Sequence, residues 1–180
     1  MTALPVFAYH PDPVASGSIK PSDAACRCCG QKRGYVYAGV PYCEEELEDA
    51  LCPWCIADGA AHAKFGAEFT DAASFPDGIA QAVIEEIAWR TPGFSGWQQE
   101  EWLGCCGDAA AFLEPVGFAE IKARYPRAEG TLITYIVQAM GVSGGAAHRL
   151  YEALKRDSGP TAYVFQCRHC DNQPMYIDSP

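Results

Sequence analysis

Apolar and polar positions along this chain fall into short, well-punctuated runs. Residues 1–22 carry Pro5, Pro11, Pro13 and Pro21, with His10 and Asp12 between them. That spacing excludes a helix and predicts an extended arm laid over a core through Phe7 and Tyr9. Residues 34–42, GYVYAGVPY, alternate tyrosine and valine beside glycines and predict a short β-hairpin. A short helix is expected over 57–65. A longer one opens at Pro76 and Asp77, with Ile79, Val83, Ile84 and Ile87 on one face, and ends near Trp89 before Thr91-Pro92-Gly93. The run 97–104, WQQEEWLG, reads as another short helix with Trp97 and Trp102 partly buried. Further on, the pattern predicts a strand at 111–113, a helix over 118–125 stopped by Pro126, and helices around 132–140 and 146–155. Paired strands at 161–166 and 175–177 close the chain.

The chain has 180 residues, 49% of them hydrophobic, with 17 glycines and 13 prolines, which describes an ordinary globular protein able to bury a core. Its formal charge of −10 argues against nucleic-acid binding, which depends on neutralising phosphates with Lys and Arg, and points to a neutral or basic partner. The first twenty residues lack a basic start followed by an apolar run, and no apolar stretch reaches the length of a membrane span. A cytoplasmic location is therefore expected, with no membrane partner. In that reducing setting the ten cysteines read as metal ligands, catalytic thiols or small buried residues rather than disulfides.

Cys26-X-X-Cys29 and Cys52-X-X-Cys55 are separated by 22 residues. Two such knuckles, brought together by a hairpin, supply the four tetrahedral ligands that zinc requires. Gly30, directly after Cys29, suits the left-handed turn that aims backbone N–H groups at the thiolates. The second knuckle reads Cys52-Pro53-Trp54-Cys55, which also has the form of a redox pair. A redox pair needs a preceding strand and a following helix whose N-terminus lowers the first thiol's pKa. Here the acidic run Glu44-Glu45-Glu46-Leu47-Glu48-Asp49 precedes it and would raise that pKa, so zinc is favoured. Cys28 and Cys43 read as small core residues. Cys167 and Cys170, on the terminal hairpin, form half of a second site. Cys106 is the better candidate to complete it and Cys105 the weaker, because adjacent cysteines can bind one ion only with an unusual backbone. Asp108 and His169 are further candidates.

The runs LPVFAYHPDP, CRCCGQKRGYVYAG, CPWCIADG with AKFGAEFTD, RTPGFSGWQQEEWLGCCGD and YVFQCRHC, in this order, resemble the CbrC family of small bacterial proteins from about Leu4 to Ile177. The resemblance implies a link to tolerance of a DNase colicin and no firm enzymatic activity. It also implies a further cysteine near the position of Ala110 and a histidine in place of Cys105, so that either Cys105 compensates here or the second site differs.

Other chemistry is weaker. Trp54, Trp89, Trp97 and Trp102 read as core residues rather than a stacking cage. Glu85, Glu86, Glu100 and Glu101 read as solvated helix faces, and the four histidines form no catalytic arrangement. The expected fold is α+β: a small zinc-ribbon-like β-hairpin lobe (1–72) and a mixed helical lobe with a C-terminal β-hairpin (73–180). The expected function is that of a zinc-stabilised, non-enzymatic protein, binding a basic protein such as a nuclease toxin. The alternative is a zinc hydrolase or thiol redox enzyme using the second metal site or the Cys52–Cys55 pair.

Overall fold

The computed structural model describes residues 3–180. The chain is of the α+β class and divides into two compact units. One runs up to Ser95 and includes Glu100–Trp102; the other comprises Gly96–Gln99 and Leu103–Pro180. Residues 73–95, assigned to the second lobe from sequence, thus pack with the first.

In the first unit the arm is extended, and Phe7 and Tyr9 are buried, as the proline spacing predicts. Part of the arm is also a strand. β1 (Ile19–Pro21) pairs antiparallel with β2 (Tyr35–Tyr37), Ile19 opposite Tyr37 and Pro21 opposite Tyr35. The predicted hairpin within 34–42 does not form: β2 takes its partner from the arm, and Tyr42 makes only an isolated bridge with Glu68. The reason is competition for the same backbone groups. Tyr37 N–H donates to Leu51 O at 2.8 Å and Ala38 N–H to Ser18 O at 2.9 Å, so β2 is already satisfied between two other segments.

Helices follow in short pieces. α1 (Pro53–Ala57) and α2 (Ala60–Phe65) replace the single helix expected at 57–65, broken at Gly59, whose φ of +77° only glycine adopts without strain. α3 (Gln81–Arg90) starts later than Pro76 and packs on α1 and α2. Ile19, Leu47, Leu51, Ile56, Ala61 and Phe69 form the core of this unit, together with buried Cys26, Cys52 and Cys55. No helix forms over 97–104. Trp97, exposed, donates its indole N–H to Thr161 Oγ1 at 3.0 Å, and Gln98 N–H donates to Asp178 Oδ2 at 2.8 Å. Trp102 is fully buried beside Phe75 and Phe94. Specific polar partners hold this stretch where helical hydrogen bonds were expected.

The second unit is built on an antiparallel sheet, β5 (Ala111–Val116), β6 (Thr161–Gln166) and β7 (Met175–Asp178), preceded by a two-residue ribbon of β3 (Gly104–Cys105) and β4 (Asp108–Ala109). Pro115 sits on β5, an edge strand, where its missing N–H removes no ladder bond. α4 (Phe118–Arg124), α5 (Glu129–Gln138) and α6 (Gly145–Ala153) bury Ile121, Leu132, Ile136 and Tyr151 against Ala162, Val164 and Ile177 of the sheet. Of the alternate β6 residues, Tyr163 stacks on Tyr176 and Phe165 meets Phe112 edge-on and Tyr176 at a tilt. Gly117 is required by close approach: a Cβ there would lie 2.7 Å from Lys155 Cα. Glu114, buried in β5, is held by Arg124 at 2.6 Å, Arg156 at 3.4 Å and the Tyr125 hydroxyl at 2.6 Å.

Among the arm residues His10 has the clearest energetic consequence. It is fully buried; Nδ1 lies 2.7 Å from Pro92 O and Nε2 2.7 Å from Ser16 Oγ. A carbonyl only accepts, so Nδ1 carries the proton and neutral Nε2 accepts from the serine. Burial pulls the His10 pKa from 6.5 down to about 4. Between those values the unfolded chain takes up a proton that the folded chain refuses, so stability falls as pH drops through this window. The loss approaches roughly 3 kcal/mol at the lower end. His10→Gln should remove that component. Urea unfolding of both proteins from pH 7 to pH 4 checks it, because acid effects on other groups are common to the two and cancel in the difference.

Candidate metal centres

The first cysteine cluster is assembled by backbone bonds. Cys26 and Cys29 sit in the connection between β1 and β2, so the strands flank the knuckle rather than follow it. Cys26 N–H donates to Gln31 O at 2.9 Å and Gly30 N–H to Cys26 O at 2.7 Å, with Gly30 left-handed at φ +72°. The opposing segment is tied on by Arg27 N–H to Ala50 O at 2.9 Å and by Cys52 N–H to Cys26 Sγ at 3.2 Å. Cys52 is the N-cap of α1, Pro53 occupies the first turn where no N–H is needed, and Cys55 lies one turn further on.

The result is a tetrad: Cys26, Cys29, Cys52 and Cys55, with all four Sγ atoms within 4.8 Å of one another. Cys26 Sγ is 3.9 Å from Cys55 Sγ, and Cys29 Sγ is 3.9 Å from Cys52 Sγ. A tetrahedron with metal–sulfur bonds of zinc length has edges of about 3.8 Å, whereas a disulfide needs about 2.05 Å. All ten cysteines are free thiols. Cys26, Cys52 and Cys55 are buried and Cys29 is exposed.

Charge makes the same point. Without a cation, the Cys52 thiol donates to Cys26 and holds the Cys26 pKa down at about 4, helped by backbone N–H groups against the effect of burial. Cys52, as donor to that thiolate, is pushed far above the ordinary thiol range, and burial pushes Cys55 up as well. Full ionisation of the quartet requires a cation at its centre. Lys64 supplies outer compensation: its ammonium donates to the carbonyls of Arg27 and Cys28, at 3.2 and 3.0 Å, over the knuckle.

The second cluster repeats the plan in the other unit. Cys167 and Cys170 sit between β6 and β7, and Cys167 N–H donates to Asn172 O at 2.9 Å, the same closure five residues on as in the first knuckle. Cys105 pairs with Asp108 in the β3–β4 ribbon, leaving Cys106-Gly107 as a two-residue turn with φ of +56° and +76°. Positive φ at both positions is the signature of a type I′ hairpin. It is also the unusual backbone that lets adjacent cysteines face one point. Cys105, Cys106, Cys167 and Cys170 form a tetrad, again within 4.8 Å, with separations of 3.8 Å (105–106), 3.8 Å (105–170) and 3.6 Å (106–170). Ala110 is buried and carries no donor.

Asp108 and His169 stand outside this tetrad. They pair with each other at 2.8 Å, and Arg168 joins Asp108 at 3.1 Å. Burial raises the Cys167 pKa, but His169 N–H and the neighbouring thiols outweigh it and bring it to about 6; Cys106, donating to Cys170, is pushed up to about 12. Only Cys167 is buried here; Cys106 and Cys170 are exposed. Cys28 and Cys43 belong to neither tetrad: Cys28 packs on the core and Cys43 donates to Glu45 O at 3.1 Å. Two supporting residues have no signal in sequence spacing: Lys64, and Gln166, whose amide binds the carbonyls of Cys167, Cys170 and Asn172. The remaining histidines are placed elsewhere, His62 stacked on Trp89 and His148 exposed.

Both tetrads could hold a thiophilic ion, each with four sulfur donors. If the first does, Cys52→Ser and Cys55→Ser should both unfold the first unit and erase its dependence on metal. The loss is expected to be several kcal/mol, out of a metal contribution on the order of 10 kcal/mol. A redox pair would tolerate Cys55→Ser structurally. Thermal unfolding with and without chelator checks this.

Comparison with known proteins supplies the family. The model of the uncharacterised protein family UPF0167 matches residues 4–179. A UPF0167 protein of Mycobacterium bovis is 47% identical over 176 residues, covering 97% of this chain and 93% of the relative. A UPF0167 protein of Pseudomonas aeruginosa is 46% identical over 177 residues, covering 97% of each. No solved structure matches. These findings correct the resemblance to the CbrC family, and the colicin tolerance it implied falls with it. The chain belongs to the family UPF0167.

Proposed function

We propose that this is a zinc-stabilised, non-enzymatic binding protein of the cytoplasm whose partner is a basic protein. The observation that carries the reading is the completeness of both sulfur quartets. Catalytic zinc keeps a coordination position open for water or substrate, and four thiolates leave none. Zinc is the metal of choice because it accepts tetrahedral all-thiolate sites without redox chemistry. A divalent ion among four thiolates adds a charge of about −2 at each site to a chain already at −10. On the surface, Glu44, Glu46 and Glu48 are exposed, while Glu45 pairs with Arg27 and Asp49 with Lys20. Such a surface favours a cationic partner and disfavours nucleic acid.

The exposure of Cys106 and Cys170 favours a second reading, in which the second site serves a hydrolase or thiol enzyme. Metal analysis with thiol counting separates the two. Two tightly held zinc ions per chain, with only Cys28 and Cys43 open to alkylation until a chelator is added, is the expected outcome. One closed site and one that exchanges a ligand for water would favour the enzyme. For the partner, the zinc-loaded protein should retain a basic protein, with a cationic nuclease domain as first probe, at low salt and release it as salt is raised. Absence of any salt-sensitive basic partner in a native pull-down would remove that part of the reading.

A further inference from the structure

The two tetrads share a donor set but differ in what surrounds it. In the first, the exposed thiol is Cys29, and its neighbour at 3.9 Å, Cys52, is buried, as are both members of the other close pair, Cys26 and Cys55. In the second, Cys106 and Cys170 are both exposed and only 3.6 Å apart. They stand on two different turns, one between β3 and β4, the other between β6 and β7. A bond between them joins the turns and leaves the strand ladders intact. The other two sulfurs are less accessible: Cys167 is buried and accepts from His169 N–H at 3.4 Å, and Cys105 is half-buried and accepts from the Asn172 amide at 3.6 Å.

We propose that Cys106 and Cys170 form an oxidisable pair on which hydroperoxides act, so that the second tetrad gives up its metal while the first keeps its own. The proposal rests on the reading that both tetrads hold zinc. While the site holds its ion Cys106 would be a thiolate; its sulfur attacks one peroxide oxygen, and the O–O bond breaks. The departing oxygen takes a proton from solvent and leaves as water or an alcohol, and Cys106 becomes a sulfenic acid. The Cys170 thiolate then attacks that sulfur; the S–S bond forms, the S–O bond breaks, and the hydroxide leaves as water after protonation. Two electrons pass from the two thiolates to the peroxide. The tetrad is left with two donors, too few to retain an ion tightly, and a dithiol reductant reverses the change.

The test uses the full chain, first shown by metal analysis to hold two zinc ions, with hydrogen peroxide as probe. Zinc release is followed with a chelating dye, and disulfides are located by fragment-ion mapping. One zinc per chain should leave about tenfold faster than the other, with a Cys106–Cys170 linkage formed in step, and dithiothreitol with added zinc should restore the starting state. Cys170→Ser should lose the linkage. Should that variant fail to fold, the two release rates of the unaltered chain still decide the matter. Release of both ions at one rate, resistance of both, or a linkage between any other pair overturns the proposal. Fewer than two zinc ions before peroxide is added would instead overturn the metal reading beneath it, and the initial analysis shows that separately.

Discussion

Four thiols converging on one point in a low-dielectric interior can all ionise only if a cation lies among them. Ionising one sulfur makes each further ionisation harder, and without a metal the quartet can do no better than share hydrogen bonds around a single thiolate, the state in which Cys26 is stabilised at the expense of Cys52. The first unit nevertheless holds its four sulfurs at 3.9 Å across both close pairs, with three of the four buried among Ile19, Leu51 and Ile56. Such a core is small for the chain it organises, and the elements around it are short: two three-residue strands and helices of five and six residues. Elements of that length do not hold together by their own hydrogen bonds. A central ion would convert them from local turns into one cooperative unit.

The scaffold reaches this convergence twice, in units of different architecture. The first quartet joins a knuckle between paired strands to the N-terminus of a helix; the second joins a knuckle between paired strands to a two-residue hairpin turn. Common to both is the loop closed by Cys26 N–H on Gln31 O and by Cys167 N–H on Asn172 O. The knuckle is thus the repeated part, and its partner is whatever local structure can present two thiols at the right spacing. Supporting polar groups differ as well. Lys64 brings a positive charge to the first knuckle, whereas Gln166 braces the second with a neutral amide across three carbonyls.

Much of this was legible in residue order. Cys-X-X-Cys spacing is a local property, so both knuckles could be read directly, and the continuous apolar run in TAYVFQ, buried on both faces, and the apolar stripes of α4, α5 and α6 mark elements that composition and period identify without distant partners. What could not be read depends on partners distant in sequence. The stretch at 34–42 has the alternation of a hairpin, yet Tyr37 is bonded by Ser18-side and Leu51-side backbone that periodicity does not reveal. WQQEEWLG has helical composition, but Trp97 and Gln98 are fixed by Thr161 and Asp178, more than sixty positions away. The role of Cys105 turned on a single backbone angle: positive φ at Cys106, a non-glycine residue, swings neighbouring side chains toward the same centre. A composition rule would count against that conformation; the ribbon geometry of β3 and β4 requires it.

Burial then separates two sites that coordination alone would make equivalent. A sulfur sealed among aliphatic side chains meets neither oxidant nor competing ligand unless the unit opens, and Cys26, Cys52 and Cys55 of the first quartet are in that position. A sulfur at the tip of a hairpin turn is available in the folded state, and its chemistry is governed by local hydrogen bonds and solvent access instead. The surroundings of the second quartet, with Asp108 engaged by both Arg168 and His169, keep a polar, charged shell beside exposed thiols. The first quartet has no counterpart to that open pair. One donor set can therefore serve as the nucleus of a fold in one unit and as accessible surface chemistry in the other, with the difference residing in the side chains around the sulfurs.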